Sequence, residues 1–305
     1  MLILKEARLY LRTGAGLRAE AKQPHRAIFY MTTTDRTTEV LSFLRCKLSP
    51  GRSLRDLRED YRLAQPFPHL ILDDLFPSKI LDSVLAELPP ASSEKWVNQR
   101  DPLMIKSNLR SAVDLDEHGY AFVSVLHSAA FLYFLTEITG MKALLPDPYL
   151  GGAGYHVMHE GGKFEVHADR NIDYHSGLQR RLAMLVYLNE GWQPKFGGQL
   201  ELWNRNGTRC EKVVEPIFNR TVLFEVNDSN FHAVRPVASG SGAARKSFAA
   251  YFHTVGGGLV PHNSVYAPSV YRQKDGFVRR VARETLPPFL WRGLRKLKGA
   301  KGRPS

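Results

Sequence analysis

The chain has 305 residues and only two cysteines, Cys46 and Cys210, which lie far apart. They match no metal-binding or redox spacing. A disulfide framework and a cysteine zinc site are therefore excluded, and a reducing, cytoplasmic setting is the expectation. No apolar run reaches the length of a membrane-spanning helix. The N-terminal stretch lacks a sustained apolar run followed by a small-residue cleavage site, so no secretory leader is expected. Repeats and low-complexity tracts are also missing, which excludes solenoids and arrays. The net charge of +12 has no counterpart in the middle of the chain. Residues 1–30 carry +4 and residues 278–305 carry +8, so the section between is formally neutral. The core thus gives no reason to expect a nucleic-acid surface.

The two basic ends read as extensions. Met31 opens Met-Thr-Thr-Thr-Asp like a chain start, and residues 1–30 before it form either a loosely held lead-in or an amphipathic helix packed on the domain. Residues 278–298 set Phe289, Leu290, Trp291, Leu294 and Leu297 among Arg292, Arg295, Lys296 and Lys298. Such a segment docks on its own domain or reaches an anionic membrane surface or partner, and the first is the commoner outcome.

Four sections follow from the patterning: 1–65 as basic extension and connector, 66–150 as helical support, 151–256 as the core, and 257–305 as a basic C-terminal extension. Residues 50–63 are charged and read as connector. An apolar strand is expected at 67–76. A helix follows Pro77-Ser78 with Ile80, Leu81, Val84, Leu85 and Leu88 at helical spacing. Residues 91–110 read as a polar loop, and a second helix spans about 117–139 with Gly140 as its stop. After Pro148 short runs suited to strands succeed one another at 153–159, 163–169, 182–188, 198–203, 211–215, 221–226, 232–237 and 246–254. Helices first and about eight short strands afterwards predict an α+β chain whose core closes as a jelly roll.

Within that core, Lys-Phe-Glu-Val-His-Ala-Asp places His167 and Asp169 two residues apart. On a strand their side chains share a face. His232 follows in Phe-His-Ala-Val, and Arg245 and Ser247 in Arg-Lys-Ser-Phe, with Lys246 facing the other way. Two imidazoles and one carboxylate that leave other positions open suit a non-haem Fe(II) centre. Arg245 offers a planar, bidentate donor for a distal carboxylate.

These residues resemble the Fe(II)/2-oxoglutarate-dependent dioxygenases, in the prolyl 4-hydroxylase-like branch. The resemblance runs from Pro66-Phe67-Pro68-His69 through His167-Ala168-Asp169, Leu185-Val186-Tyr187-Leu188-Asn189, Gly197-Gly198-Gln199-Leu200-Glu201-Leu202 and His232-Ala233-Val234 to Arg245-Lys246-Ser247. It implies a double-stranded β-helix, with His167, Asp169 and His232 as iron ligands. Arg245 would bind 2-oxoglutarate, helped by Ser247 and Tyr187, with Tyr155 as a further candidate. The implied reaction consumes O2, converts 2-oxoglutarate to succinate and CO2, and hydroxylates an unactivated C–H bond of a prolyl residue, a free amino acid or another small metabolite. Ascorbate would support it. The chain departs from collagen-type members in having Arg245 where they have lysine. The stretch from Ala238 to Gly242 also lengthens the gap before Arg245 and reads as a loosened hairpin.

The segment after the strand of His167 forms a pocket rim, with Asn171, Tyr174 and Arg181 as substrate-contact candidates. His156, His159 and His175 lie near the site in sequence and are expected in supporting or solvated roles. Trp203 reads as core and Arg235 as either a substrate contact or a surface ion pair. The rival reading of the whole is a non-catalytic jelly-roll binding module whose basic ends contact a membrane surface or RNA.

Overall fold

The computed structural model describes residues 53–109, 111–256 and 261–267. The two basic ends, with the readings given to Met31 and to 278–298, lie outside the described residues. The first element is a helix, α1 (Leu54–Leu63), and not the expected connector. Ser53 and Asp56 cap it reciprocally: the Ser53 hydroxyl accepts from the Asp56 amide (3.3 Å) and the Asp56 carboxylate from the Ser53 amide (2.5 Å). Leu54, Leu57 and Tyr61 form its buried face. Charge at the other positions hides this apolar stripe from a composition-based reading.

Strand β1 (His69–Asp73) and helix α2 (Ser78–Ala86) follow. Residues 91–110 do not form a loop. They hold a hairpin of β2 (Trp96–Asp101) and β3 (Met104–Leu109), turned by Asp101, whose carboxylate accepts from the Leu103 amide (2.8 Å). Its polar composition reflects half-exposed strands. The helix expected at 117–139 is two helices, α3 (Glu117–Leu126) and α4 (Ala129–Thr139), bent by 49°. Ser128 forces the break by capping α4 through the Phe131 amide (3.2 Å). Gly140 ends α4 in the left-handed region (φ 73°). Among the described residues no single helix is long and apolar enough to cross a membrane.

The remaining strands are β4 (Leu145–Pro146), β5 (Gly154–Met158), β6 (Lys163–Ala168), β7 (Gln179–Tyr187), β8 (Leu200–Trp203), β9 (Cys210–Val214), β10 (Arg220–Glu225), β11 (His232–Val234), β12 (Arg245–Thr254) and β13 (Val265–Tyr266). All pair antiparallel in one curled sheet ordered β1-β10-β7-β12-β5-β3-β6-β11-β8-β9. Strand β3 is the hinge of the curl, pairing with both β5 and β6. This is the expected jelly roll. The segment from Ala238 to Gly242 is not a hairpin, because β11 pairs with β6 and β8 while β12 pairs with β5 and β7. It crosses between the two halves, and Glu160 pins it by accepting from the amides of Gly240 and Gly242.

The helices pack on the outer face of the larger half. Phe122 meets Phe248 edge to face (5.2 Å), and Phe131 lies against Phe252 (6.2 Å). Truncating a buried phenylalanine of this kind costs about 3–5 kcal/mol. On β12 the alternate residues Arg245, Ser247, Ala249 and Tyr251 face the interior of the roll. One strand therefore joins the helical core to the site.

Candidate active site

His167 and His232 are direct cross-strand partners on β6 and β11. Their rings stand 4.3 Å apart. Asp169 follows the end of β6, and its Oδ1 lies 3.5 Å from His167 Nε2 and 3.8 Å from His232 Nε2. In each histidine Nδ1 faces a backbone carbonyl two residues earlier, Glu165 (2.7 Å) or Asn230 (3.2 Å). A carbonyl only accepts, so Nδ1 carries the proton and the Nε2 lone pair turns toward Asp169. The three donor atoms lie within 4.8 Å of one another, and all three residues are buried. His167 Nε2 is buried with no hydrogen-bond partner. A buried lone pair aimed at a second imidazole and a carboxylate fits a divalent transition metal.

The surroundings hold this trio still. Phe164 stacks on His167 at 3.5 Å, and Phe224 lies 4.8 Å from His232. The Tyr251 hydroxyl donates to Asp169 Oδ2 (3.1 Å), and the Arg180 guanidinium lies 3.9 Å over the Tyr251 ring. Burial alone would raise the Asp169 carboxyl, but His232, His167 and Arg180 hold it well below the usual range. Burial and His167 push His232 down to about 4. Asp169 is therefore ionised and His232 neutral at neutral pH.

Arg245 lies across a cavity of about 50 Å³ from the trio and is itself buried. Its Nε donates to the Gly198 carbonyl (2.8 Å), its Nη2 to the Tyr187 hydroxyl (3.3 Å) and its Nη1 to Ser247 Oγ (3.5 Å). Gly198 has φ +69°, and a Cβ there would come within 3.1 Å of Arg245 Cδ. The Gly-Gly pair thus makes room for the guanidinium. Burial raises the Tyr187 hydroxyl while Arg245 opposes it. Among the described residues Arg245 has no carboxylate partner, so a buried cation is left facing the cavity.

Several expected residues lie elsewhere. Tyr155 points away from the cavity: its ring packs on Phe248 and its hydroxyl reaches the Val84 carbonyl (3.5 Å). The alternation of β5 gives the inward positions to His156 and Met158. Arg181 also faces out, toward Glu225 (3.5 Å). The register of β7 against β12 shifts between Phe252 and His253, so that His253 opposes Arg180. Arg181 is the extra residue of that bulge, and Arg180 is the buried one, its guanidinium over the Tyr251 ring. Tyr174 is exposed and bonded to Asn263, with Arg170 over its ring. Asn171 is buried and its Oδ1 accepts from the His262 amide (3.1 Å). Neither lines the cavity. Arg235 pairs with Glu201 (2.5 Å) in a partly exposed ion pair, and Trp203 is half-buried with Nε1 on the same Glu201 carboxylate (3.0 Å). Lys246 faces the outside, as alternation requires, in a separate hollow with Ala244 and Leu85.

Sequence reasoning passed over Lys106, Arg180 and Tyr251. Lys106 lines the cavity from β3, and burial, opposed by Asp169, pushes its amine down to about 8. His156 joins it there, kept neutral by burial and by the charges of Lys106 and Arg245. The alternation of β12 from Arg245 would have found Tyr251. Lys106 left no signal, because its strand read as loop. A second buried trio, Asp147, Asp173 and His253, also brings its donor atoms within 4.8 Å.

Two imidazoles, one carboxylate and free positions on one side are how mononuclear non-haem iron oxygenases hold their metal, and a jelly roll can present that set from its strands. Residues 153–253, the segment that carries His167, Asp169, His232 and Arg245, match the family described as the 2OG-Fe(II) oxygenase superfamily, a match that supports a 2-oxoglutarate-dependent oxygenase using Fe(II). No curated protein matches the chain in sequence. Among solved structures it is similar to a prolyl-4-hydroxylase of Pseudomonas putida at 19% identity and a TM-score of 0.49, covering 67% of this chain and 100% of that one. It is also similar to a Trichoplax adhaerens prolyl hydroxylase, solved with a hypoxia inducible factor peptide, at 20% identity and a TM-score of 0.46, covering 74% and 94%. HygX of Streptomyces hygroscopicus, solved with nickel and 2-oxoglutarate, matches at 13% identity and a TM-score of 0.43, covering 64% and 92%.

Proposed function

We propose that the chain hydroxylates an unactivated C–H bond of a prolyl residue, a free amino acid or another small metabolite, with iron held by His167, Asp169 and His232. The observation that carries this reading is the convergence of three buried donor atoms within 4.8 Å across a small cavity from an unpaired arginine. Bound Fe(II), with 2-oxoglutarate and O2, supplies the oxidising power, and 2-oxoglutarate leaves as succinate and CO2. The chain's own contribution is positioning. His167 and His232 turn their Nε2 atoms to the metal position, because their Nδ1 atoms face carbonyls. Asp169 stays ionised, steadied by the Tyr251 hydroxyl. Arg245 takes the distal carboxylate of 2-oxoglutarate, with the hydroxyls of Tyr187 and Ser247 beside it. Phe164 and Phe224 wall the trio and exclude water. In this reading ascorbate keeps the iron ferrous between turnovers, and the low cysteine content is compatible with a reducing, cytoplasmic setting.

The test is an anaerobic titration of Fe(II) and 2-oxoglutarate, followed by the weak visible charge-transfer band of the chelate. The wild type shows the band, Asp169→Ala lacks it, and Arg245→Ala needs about a hundredfold more 2-oxoglutarate, the effect of stripping one partner from a buried charge pair. A wild type that binds iron without developing the band overturns the reading in favour of a binding module.

A further inference from the structure

The cavity holds one cation more than its proposed occupants need. Given the function proposed above, a divalent metal and Arg245 are balanced by Asp169 and the two carboxylates of 2-oxoglutarate. His156 adds no charge, since burial and the nearby cations keep it neutral. Lys106 is then left over. It lines the same cavity as the trio and Arg245, and its Nζ lies 5.2 Å from the centre of the Phe164 ring, which also stacks on His167. Among the described residues it forms no salt bridge. On the adjoining strand, His156 leaves its Nε2 buried without a partner. Its cross-strand neighbour Asn108, two residues from Lys106 on the same strand face, leaves Oδ1 likewise. A half-buried cation beside unpartnered polar atoms is a site built for a ligand and not for the fold.

We propose that Lys106 binds a carboxylate-class anion beside the metal trio, and that this anion belongs to the molecule being oxidised. The substrate class is thereby narrowed to acidic metabolites, amino acids presenting their own carboxylate, or peptides with an acidic group next to the oxidised carbon. The charge balance favours this source over the keto-acid end of 2-oxoglutarate. The β2–β3 hairpin that carries Lys106 is also half-exposed, so the site is open to a molecule arriving from outside. A lysine suits this task because its ammonium is a point charge on a flexible stem that accepts anions of varied geometry.

The experiment uses the full chain loaded with Mn(II), as wild type, Lys106→Met, Lys106→Arg and Arg245→Met. One arm compares binding of 2-oxoglutarate with that of 4-oxopentanoate, which keeps the ketone and distal carboxylate but lacks the carboxylate at the keto end. The other arm titrates acetate, at constant ionic strength, into the Mn(II)–2-oxoglutarate complex and follows the Mn(II) electron paramagnetic resonance. The expected result is that Lys106→Met weakens acetate at least tenfold, Lys106→Arg largely restores it, and the preference for 2-oxoglutarate over 4-oxopentanoate is unchanged. Arg245→Met weakens both keto acids. Acetate binding that is absent, or indifferent to Lys106→Met, overturns the proposal. A selective loss of the 2-oxoglutarate preference in Lys106→Met also overturns it, by assigning the lysine to the co-substrate. A wild type that fails to bind 2-oxoglutarate at all breaks the oxygenase reading instead, which separates the two failures. Circular dichroism of each variant identifies loss of fold.

Discussion

Two buried trios of the same residue types sit in this fold, each with one imidazole Nε2 left without a partner, and they differ in how their carboxylates are spent. In His167, Asp169 and His232 the carboxylate receives one hydroxyl proton, from Tyr251, and its other oxygen faces two imidazole lone pairs. In Asp147, Asp173 and His253 the carboxylates are already supplied. Asp147 accepts from the amides of Tyr149 and Gly151, Asp173 accepts from the amides of His175 and Ser176, and Arg180 Nη2 lies 3.5 Å from its second oxygen. Arg170 and Arg180 both donate to the Gly151 carbonyl at the centre of this cluster. The lesson is that residue type and proximity do not define a metal centre. What defines it is how many lone pairs the protein has left unspent.

The sharpest way to break this contrast is to remove one aspartate from each trio. Asp169→Ala abolishes metal binding and turnover while the fold remains, as measured by elemental analysis and succinate release. Asp173→Ala leaves metal content at one ion per chain but lowers stability by about 3–5 kcal/mol, because Arg180 loses its buried counter-charge; chemical denaturation reads this. Equal loss of metal in both variants would erase the distinction. A smaller effect comes from Tyr251→Phe, which removes one hydrogen bond to Asp169. Metal affinity drops about 10–100-fold with little change in stability, read by competition against a chelator. A gradual counterpart is a pH effect on the metal-free protein. Burial, first among the causes, pushes His69, His156 and His253 below their ordinary value of 6.5. The unfolded chain therefore binds more protons than the folded one below about pH 6.5. Stability is full above that pH and falls as the solution is acidified, by up to about 1.4 kcal/mol per pH unit for each imidazole that stays neutral. Denaturation midpoints between pH 7.5 and 5 check the sign.

The sequence carried the strands of the core well, because half-buried strands alternate, and the glycine pairs at 151–152, 161–162 and 197–198 punctuate them. It placed His167, Asp169, His232, Arg245, Ser247 and Tyr187 by order and motif. The structure brings the first five to one small cavity and sets Tyr187 behind it, against the Arg245 guanidinium. What was not legible depended on partners distant in the chain. In the sequence Arg181 reads as part of a pocket rim, whereas it lies in strand β7 beside a bulge that only the pairing with β12 produces. Tyr155 was misplaced because a tyrosine beside a ligand strand does not announce which face it takes. Lys106 and helix α1 were missed for a common reason: charged residues around a thin apolar stripe look like solvated linker until another layer covers the stripe.

The way the hairpin and β1 enter the sheet bears on what can be excised. The segment recognisable by family, residues 153–253, begins after β1, β2 and β3 have already been contributed. Strand β1 flanks β10, and β3 closes the seam between β5 and β6. An autonomous fragment must therefore include at least the described residues from Ser53 onward. A gene trimmed to the recognisable segment would encode a roll with an open seam and a bare aromatic back, and its product would be recovered as aggregate.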